Sequence, residues 1–597
     1  MGKKAKRQLM FGNEAVARGA WEAGCTVATA YPGTPATEIN EFCAIYPEID
    51  AEWSVNEKVA LESGIGAAFA GARTLVSMKQ VGVNVAADAL FSLAYAGVNA
   101  GLVIVTADEP GLHSSQNEQD NRFYAKFAQV PMLEPSDSQE AKDLVAVAFE
   151  ISEKHDTPVF LRLTTRVCHS RCAVTLGERR EVPRRPYVKN SDKYAMVPSH
   201  AYKRHFDLEK RQTMLEAVAE TFEGNRLEMR SLEYGVVTSG ISYMNVREAL
   251  PDFSTLKITM TYPVPHQLIR NFASQVNKLY VIEENRPFLE EEILALGIPV
   301  EGKQQLLRVG ELPASALRRR ILHKESRQKH AVEGLPKRPP QFCPGCLHRG
   351  IFYLLGRKKL IVTGDIGCYG LACLPPYDAM DTLIDMGAGI SMAHGFDKVV
   401  EDGERVVGVV GDSTFFHSGM TGVASAVFNR GVSTWVIIDN RITAMTGHQP
   451  DPASGYGIDR LPAPRLDIET VCRALGVKRV QRVDAFDLEA MSELLDAETA
   501  AKEPSVIIVE GPCVFVDRAS RSDAWEVDQA ACVRCKSCFR LGCPAITIED
   551  DEVRVVAEMC WGCGLCAQVC PRKAIKRGPD KVGERASPRA LDEESGA

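Results

Sequence analysis

The chain has 597 residues, 45% of them hydrophobic and 25% charged, with a formal net charge of −8 at pH 7. At roughly 100–200 residues per domain, this length predicts three to five domains with full cores. The charge is small for the size and both signs are interspersed, which argues against a nucleic-acid footprint and favours a small-molecule enzyme.

The start, MGKKAKRQLMFGNEAV, is basic but lacks the apolar core of a signal peptide, and no run of ~18 apolar residues follows anywhere. A cytoplasmic protein with no membrane attachment is expected. From residue 8 to about 180, apolar runs at Thr26–Ala30, Thr74–Met78, Leu102–Thr106 and Val159–Leu163 alternate with helical stretches such as Glu57–Ala70 and Asn84–Tyr95. Such alternation predicts a parallel sheet covered by helices. The charged, proline-bearing stretch Gly177–His200 reads as a linker. A second α/β unit is expected over 206–325, with strands at Tyr234–Thr238 and Lys278–Glu283, followed by another basic, proline-containing stretch, His323–Pro340. A third α/β unit is expected over 341–516, with strands at Val406–Val410, Thr434–Ile438 and Ser505–Val509. A small α+β cysteine-rich module follows over 523–577, with short segments at Ala545–Glu549 and Glu552–Ala557; the polar end, 578–597, reads as a flexible tail. Three α/β units in series, taken as doubly wound, plus the small module make up the expected architecture.

Eight of the eighteen cysteines fall between Cys532 and Cys570, in the runs Cys532-x2-Cys535-x2-Cys538-x4-Cys543-Pro544 and Cys560-x2-Cys563-x2-Cys566-x3-Cys570-Pro571. The second run has the bacterial ferredoxin spacing, in which three thiolates hold one 4Fe-4S cluster and the fourth, before proline, ligates the other. Cys532, Cys535, Cys538 and Cys570 are thus assigned to one cluster, and Cys543, Cys560, Cys563 and Cys566 to the second. The extra residue in the first run must be absorbed by a turn. A pair of zinc sites is the bland alternative, since CxxC pairs also suit zinc.

In the third unit, the strand Val406–Val410 runs into Gly411-Asp412-Ser413, and Thr434–Ile438 runs into Asp439-Asn440. A glycine after a buried strand admits a phosphate, and a helix start expected near Ser418-Gly419 favours its charge. Asp412 and Asn440, at the ends of adjacent strands, offer the oxygen ligands that Mg2+ takes alongside a diphosphate. The spacing resembles the thiamine diphosphate motif, which implies Ile442 as a further metal ligand through its carbonyl. An ordinary strand-turn-helix is the alternative. In the first unit, Glu57 stands at a loop-to-helix boundary, where a carboxylate could meet N1′ of an aminopyrimidine and poise it for proton transfer. A helix-dipole partner is the commonplace reading of the same residue.

Tyr31-Pro32-Gly33-Thr34-Pro35, NEKVALESG from Asn56, Cys343-Pro344-Gly345-Cys346, Gly364-Asp365-Ile366-Gly367-Cys368, GDS with DN, and the double cysteine run occur in this order. Together they resemble the 2-oxoacid ferredoxin oxidoreductases over nearly the whole chain. That resemblance implies a pyrimidine-binding domain at 8–180, a transketolase-C-like domain at 206–325, a diphosphate-binding domain at 341–516 and a two-cluster ferredoxin domain. It implies that Thr34 faces the substrate. It also implies a third 4Fe-4S cluster near the thiamine on Cys343, Cys346, Cys368 and Cys513, with Cys373 as an alternative to Cys368. Otherwise these four are a redox or zinc pair and two core thiols.

The stretch from Asp108 to Asp120, DEPGLHSSQNEQD, resembles the arylpyruvate-oxidising branch, of indolepyruvate type. The activity so implied is oxidative decarboxylation of an arylpyruvate with coenzyme A and reduction of ferredoxin, with a smaller beta subunit in an alpha2beta2 assembly. His113 and Arg122 are candidates for holding the substrate carboxylate, with surface or packing roles as their alternative. A ferredoxin oxidoreductase for another 2-oxoacid, a non-oxidative thiamine decarboxylase and a non-catalytic electron-transfer subunit are the competing readings. The clustered cysteines speak against the decarboxylase.

Overall fold

The structure, a computed structural model, describes residues 6–324, 334–335, 339–401 and 405–577. The tail expected at 578–597 and most of the basic stretch His323–Pro340 lie outside the described residues. The described residues form two compact units that part at about residue 333.

In the first unit, a seven-stranded sheet runs, from one edge, Met260–Tyr262, Met132–Leu133, Val159–Thr164, Leu102–Asp108, Thr74–Lys79, Val27–Ala30 and Asp50–Trp53. All neighbours are parallel except the Met260–Tyr262 edge pair. Leu102–Asp108 and Val159–Thr164 are buried at every position, which is why both read as continuous apolar runs rather than alternating ones. The helices Thr37–Cys43, Glu57–Phe69, Ala87–Ala96 and Ser138–His155 make the crossovers. A four-stranded sheet orders Lys278–Ile282, Tyr234–Thr238, Ser254–Lys257 and Arg226–Glu228, the last antiparallel.

Met260–Tyr262 lies inside the 206–325 stretch yet adds to the edge of the first sheet, and one apolar core joins Val76 and Ile104 of the first sheet to Val237, Leu256 and Val281 of the second. The segment Gly177–His200 is mostly extended, but it is fastened rather than loose. Arg179 donates to the Trp21 carbonyl (2.8 Å), Arg184 to that of Ala70 (2.8 Å) and Arg185 to that of Asn99 (2.7 Å). A helix, Pro198–Glu220, begins within it, with proline in the first turn where its missing N–H costs nothing.

In the second unit, six strands in the order Thr382–Leu383, Ile361–Gly364, Val406–Gly411, Thr434–Asp439, Ser505–Glu510 and Arg479–Asp484 are all parallel. Its two faces are both buried: Val407, Val409, Val436 and Ile438 join one core, and Val406, Val410, Trp435 and Ile437 the other. The cysteine module closes with two antiparallel pairs, Trp525–Val527 with Ile575–Arg577 and Ile546–Glu549 with Glu552–Val555, the latter where two short segments were expected. Leu541 and Leu565 of this module share the core of Phe342 and Ile351, so it is packed on the six-stranded layer rather than tethered to it.

Candidate functional site

In the first unit, three adjacent parallel strands bring the site residues to one carboxyl edge, the usual ligand position of such sheets. Val27–Ala30 runs into Tyr31-Pro32-Gly33-Thr34-Pro35, its neighbour Asp50–Trp53 leads to Glu57, and Thr74–Lys79 on its other side ends in Lys79. Glu57 opens the helix Glu57–Phe69, whose N-cap is Asn56, with Asn56 Oδ1 accepting from Val59 N at 2.9 Å. The cap fixes the first turn and so the direction of Glu57, which is buried. Gly82 leaves room for that carboxylate, because a Cβ there would stand 2.7 Å from Glu57 Oε1.

Lys79 was not marked by any motif. It packs on Gly33, only 12% of its side chain is exposed, and Nζ donates to the Ser114 carbonyl (3.0 Å) with Glu109 Oε2 at 3.7 Å. Burial pushes its ammonium below the usual lysine range, while Glu109 and, more weakly, Glu57 pull it back up.

The two expected carboxylate-holding residues lie elsewhere. His113 is half exposed, with Nε2 3.5 Å from Glu311 Oε1. Arg122 is buried and occupied: its guanidinium donates to both Asp120 oxygens (2.9 and 2.5 Å), to Glu283 Oε2 (2.5 Å) and to the carbonyls of Glu284 and Arg286. Arg162 completes the network through Asp108 (2.7 Å) and Glu134 (2.8 Å). Burial alone would raise the Asp120 carboxyl, but Arg122 and Arg162 hold it at about 2. Arg122 is thus a member of a buried ion network, in keeping with the packing role given as its alternative.

In the second unit, Gly411 and Ile438 are register partners, so Asp412 and Asn440 leave neighbouring strand ends. Asp412 Oδ2 accepts from Asn440 N (3.0 Å) and Arg441 N (2.6 Å), and Oδ1 from Ser413 N (2.8 Å). Asn440 Oδ1 accepts from Ile442 N (3.0 Å), and the Ser413 hydroxyl accepts from Thr443 (2.8 Å). The helix begins at Asp412, not near Ser418-Gly419: Gly411 is its N-cap, with Thr414 Oγ1 accepting from Gly411 N at 2.9 Å, and a π-helical turn at Phe415–Gly419 leads into Met420–Phe428. Burial pushes the Asp412 carboxyl well above its usual range, and Asp451 and Asp439 add to the push. Asp451 rises to about 7, and its Oδ2 is buried with no partner. Three crowded carboxylates, one oxygen of them without a partner, leave this strand edge short of positive charge.

Tyr369 is a second unmarked residue. Its hydroxyl accepts from Gly411 N (3.0 Å) and donates to Asp365, tying the turn after Cys368 to the start of the diphosphate-side helix. Burial pushes the Asp365 carboxyl up to about 7, and Gly387 N donates to it at 2.5 Å.

Cys532, Cys535, Cys538 and Cys570 line one recess, and Cys543, Cys560, Cys563 and Cys566 another. Burial pushes the Cys346 thiol up to about 12, with Cys368 and Cys343 adding to it; Cys368 rises to about 11 by burial, with Cys513 and Cys343 as neighbours. Cys373 is exposed at the far end of the turn Cys368–Cys373, whereas Cys368 is partly buried. The His348 ring, pushed down to about 3 by burial and Arg349, is neutral, and its Nδ1 lies 3.1 Å from Cys346 Sγ.

A single zinc ion at ~2.3 Å from four sulfurs would need them about 3.8 Å apart. Among the described residues no three cysteine, histidine or acidic side chains converge on one ion. Recesses walled by four thiols that do not converge on one point fit an iron–sulfur cubane better than zinc.

Three family models match the chain: "Pyruvate flavodoxin/ferredoxin oxidoreductase, thiamine diP-bdg" over residues 18–231, "Thiamine pyrophosphate enzyme, C-terminal TPP binding domain" over 365–509, and "4Fe-4S binding domain" over 553–576. The chain is 40% identical to the indolepyruvate oxidoreductase subunit IorA of Methanothermobacter marburgensis, covering 96% of this chain and 98% of that one. It is 37% identical to that of Thermococcus kodakarensis (98% of each) and 36% to that of Pyrococcus horikoshii (96% and 97%). Among the described residues no helix is long and apolar enough to cross a membrane. With thiamine-binding and 4Fe-4S regions in one chain and relatives matched end to end, the protein belongs to the indolepyruvate oxidoreductase subunit IorA family.

Proposed function

We propose that this chain is the large subunit of a cytoplasmic enzyme that converts an arylpyruvate of indolepyruvate type, coenzyme A and two oxidised ferredoxins to the acyl-coenzyme A, carbon dioxide, two reduced ferredoxins and a proton. The observation that carries this reading is the gathering of twelve cysteines into three groups of four, in the unit that bears Asp412 and Asn440. A non-oxidative decarboxylase has no use for a chain of one-electron carriers.

Thiamine diphosphate, when bound, supplies the carbanion that attacks the 2-oxo carbon and the sink for the electron pair left by carbon dioxide. Glu57 would hold the proton at N1′ of its pyrimidine, and Asn56 fixes that carboxylate at the helix start. Asp412, Asn440 and the Ile442 carbonyl would hold Mg2+ against the diphosphate, beside Gly411 and Ser413. Thr34 would face the substrate. Lys79, rather than Arg122, is the cation suited to the substrate carboxylate, because it shares the carboxyl edge with Thr34 and Glu57 and its charge is only partly answered by Glu109. The domain roles follow: pyrimidine binding at 8–180, a transketolase-C-like unit at 206–325, diphosphate binding at 341–516 and electron export at 523–577. A smaller beta subunit, in an alpha2beta2 assembly, completes the enzyme.

The test is iron, acid-labile sulfide and thiamine per chain on anaerobically purified complex, with indolepyruvate-dependent ferredoxin reduction. Three 4Fe-4S clusters predict about twelve irons. About eight would remove the role given to Cys343, Cys346, Cys368 and Cys513, and none would overturn the proposal. Glu57→Gln should lower turnover about 10²–10⁴-fold with iron and thiamine retained; full turnover in this variant would end the role of Glu57.

A further inference from the structure

Arg349 follows the Cys343–Cys346 loop, on the helix His348–Leu355, and is 1% exposed. Nη1 donates to Tyr377 Oη (2.8 Å) and the Leu541 carbonyl (2.6 Å), and Nη2 to the carbonyls of Phe342 and Cys343 (both 2.8 Å). Every one of these partners is uncharged. Nε is buried with no partner, and among the described residues no carboxylate forms an ion pair with Arg349. A guanidinium does not deprotonate to escape burial, so its full charge is held in the interior without a counter-ion from the chain.

Thiols surround it. Arg349 lines the recess walled by Cys543, Cys560, Cys563 and Cys566. On its other side it is bonded to the Cys343 carbonyl, and its charge is felt at both Cys346 and Cys563. A Cβ on Gly345, which sits at φ +73°, would collide with Trp561 at 2.4 Å, so the two cysteine-bearing loops meet directly beside it. Four thiolates outweigh the core charge of a cubane, so a loaded cluster is anionic and becomes more so with each electron.

We propose that Arg349 is the shared counter-cation of two iron–sulfur clusters, one on Cys343, Cys346, Cys368 and Cys513 and the other on Cys543, Cys560, Cys563 and Cys566, and that it raises the reduction potential of the cluster it stands nearer. This rests on the cluster reading above. A fixed positive charge favours the reduced form of its neighbour without itself gaining or losing an electron. Arg349 is a positioning residue and touches no reacting atom.

The test is an EPR-monitored redox titration of the complete complex, with iron counted in each sample. Wild-type iron content and cluster signals judge the cluster reading by themselves. Given those signals, Arg349→Met should disfavour reduction of one cluster at least tenfold, about 59 mV for a one-electron couple, and Arg349→Lys should recover most of the shift. Tyr377→Phe removes a hydrogen bond to Arg349 and leaves the charge. Unmoved potentials in Arg349→Met, or an equal shift in Tyr377→Phe, would overturn the proposal. Should Arg349→Met lose iron, Arg349→Gln takes its place in the titration. Selective loss of one cluster from both neutral variants, with Arg349→Lys loaded, shows the same dependence on charge, and loss from all three makes the residue a strut.

Discussion

The two units bury charge in opposite ways. In the first, Arg122 and Arg162 are enclosed with Asp108, Asp120, Glu134 and Glu283, and each guanidinium is held in ion pairs. In the second, Asp412, Asp439 and Asp451 crowd together with Arg465 reaching Asp439 (3.2 Å), and Arg349 stands among neutral carbonyls. Burying an unpaired charge is costly, so a fold keeps one where something else supplies the partner. The first unit's ion pairs tie Arg122 and Arg162 into its architecture, whereas the second unit's carboxylates and Arg349 lack such pairs, and the proposed ligands would supply them.

The largest effect is expected where those ion pairs are broken. Arg122→Met strands Asp120 and Glu283 in the interior, and breaking a buried pair by removing one partner costs about 3–5 kcal/mol. Chemical denaturation should show the loss, with residual folded enzyme keeping its substrate KM; a raised KM at unchanged stability would return Arg122 to the substrate.

The second unit should respond with the opposite sign. Asp451 has a folded pKa of about 7 against 3.8 in the open chain, so the folded form holds its proton more tightly. Its contribution to stability is then full below pH 3.8 and is lost as pH rises toward 7. Asp451→Asn should therefore stabilise the metal-free protein above neutral pH, by a few kcal/mol at most, and flatten its stability between pH 4 and 7. Magnesium with thiamine diphosphate should narrow the difference, since a cation answers the same crowding. A destabilised variant across that range would mean the carboxylates are satisfied without a ligand.

This contrast also sets what could be read from the residues alone. Strand ends bearing GD, DN and NEK are local, and cysteine spacing is local, so Asp412, Asn440, Glu57 and the cysteine groups were legible. The partners of Arg122 were not: Glu283 is 161 residues away, and a basic residue beside an exposed-looking loop reads the same whether it is free or enclosed. The helix start was misplaced because Ser418-Gly419 looks like a terminus, whereas the Thr414 hydroxyl already caps the chain at Gly411. Met260–Tyr262 is too short to declare which sheet it joins. Lys79, Tyr369 and Arg349 lack any motif, because their meaning comes entirely from what packs against them.

Lys79 tests the contrast most finely, because it is a largely enclosed cation on the same strand-end edge as Thr34 and Glu57 whose one carboxylate partner is distant. Glu109 lies 3.7 Å from it, too far for a strong hydrogen bond, and is itself engaged by Ser114 and Ser115. Were Lys79 architectural like Arg122, Lys79→Met would mainly cost stability and leave KM alone. As the anchor of a substrate carboxylate it should raise KM about tenfold, 1.4 kcal/mol of binding, with kcat nearly unchanged, since a contact made equally before and during reaction is lost from both states. Lys79→Arg keeps the charge on a longer fork and should recover part of the loss. The decisive reading is the pair of constants: a fall in kcat at constant KM would move Lys79 from holding the substrate to shaping the edge that holds Glu57.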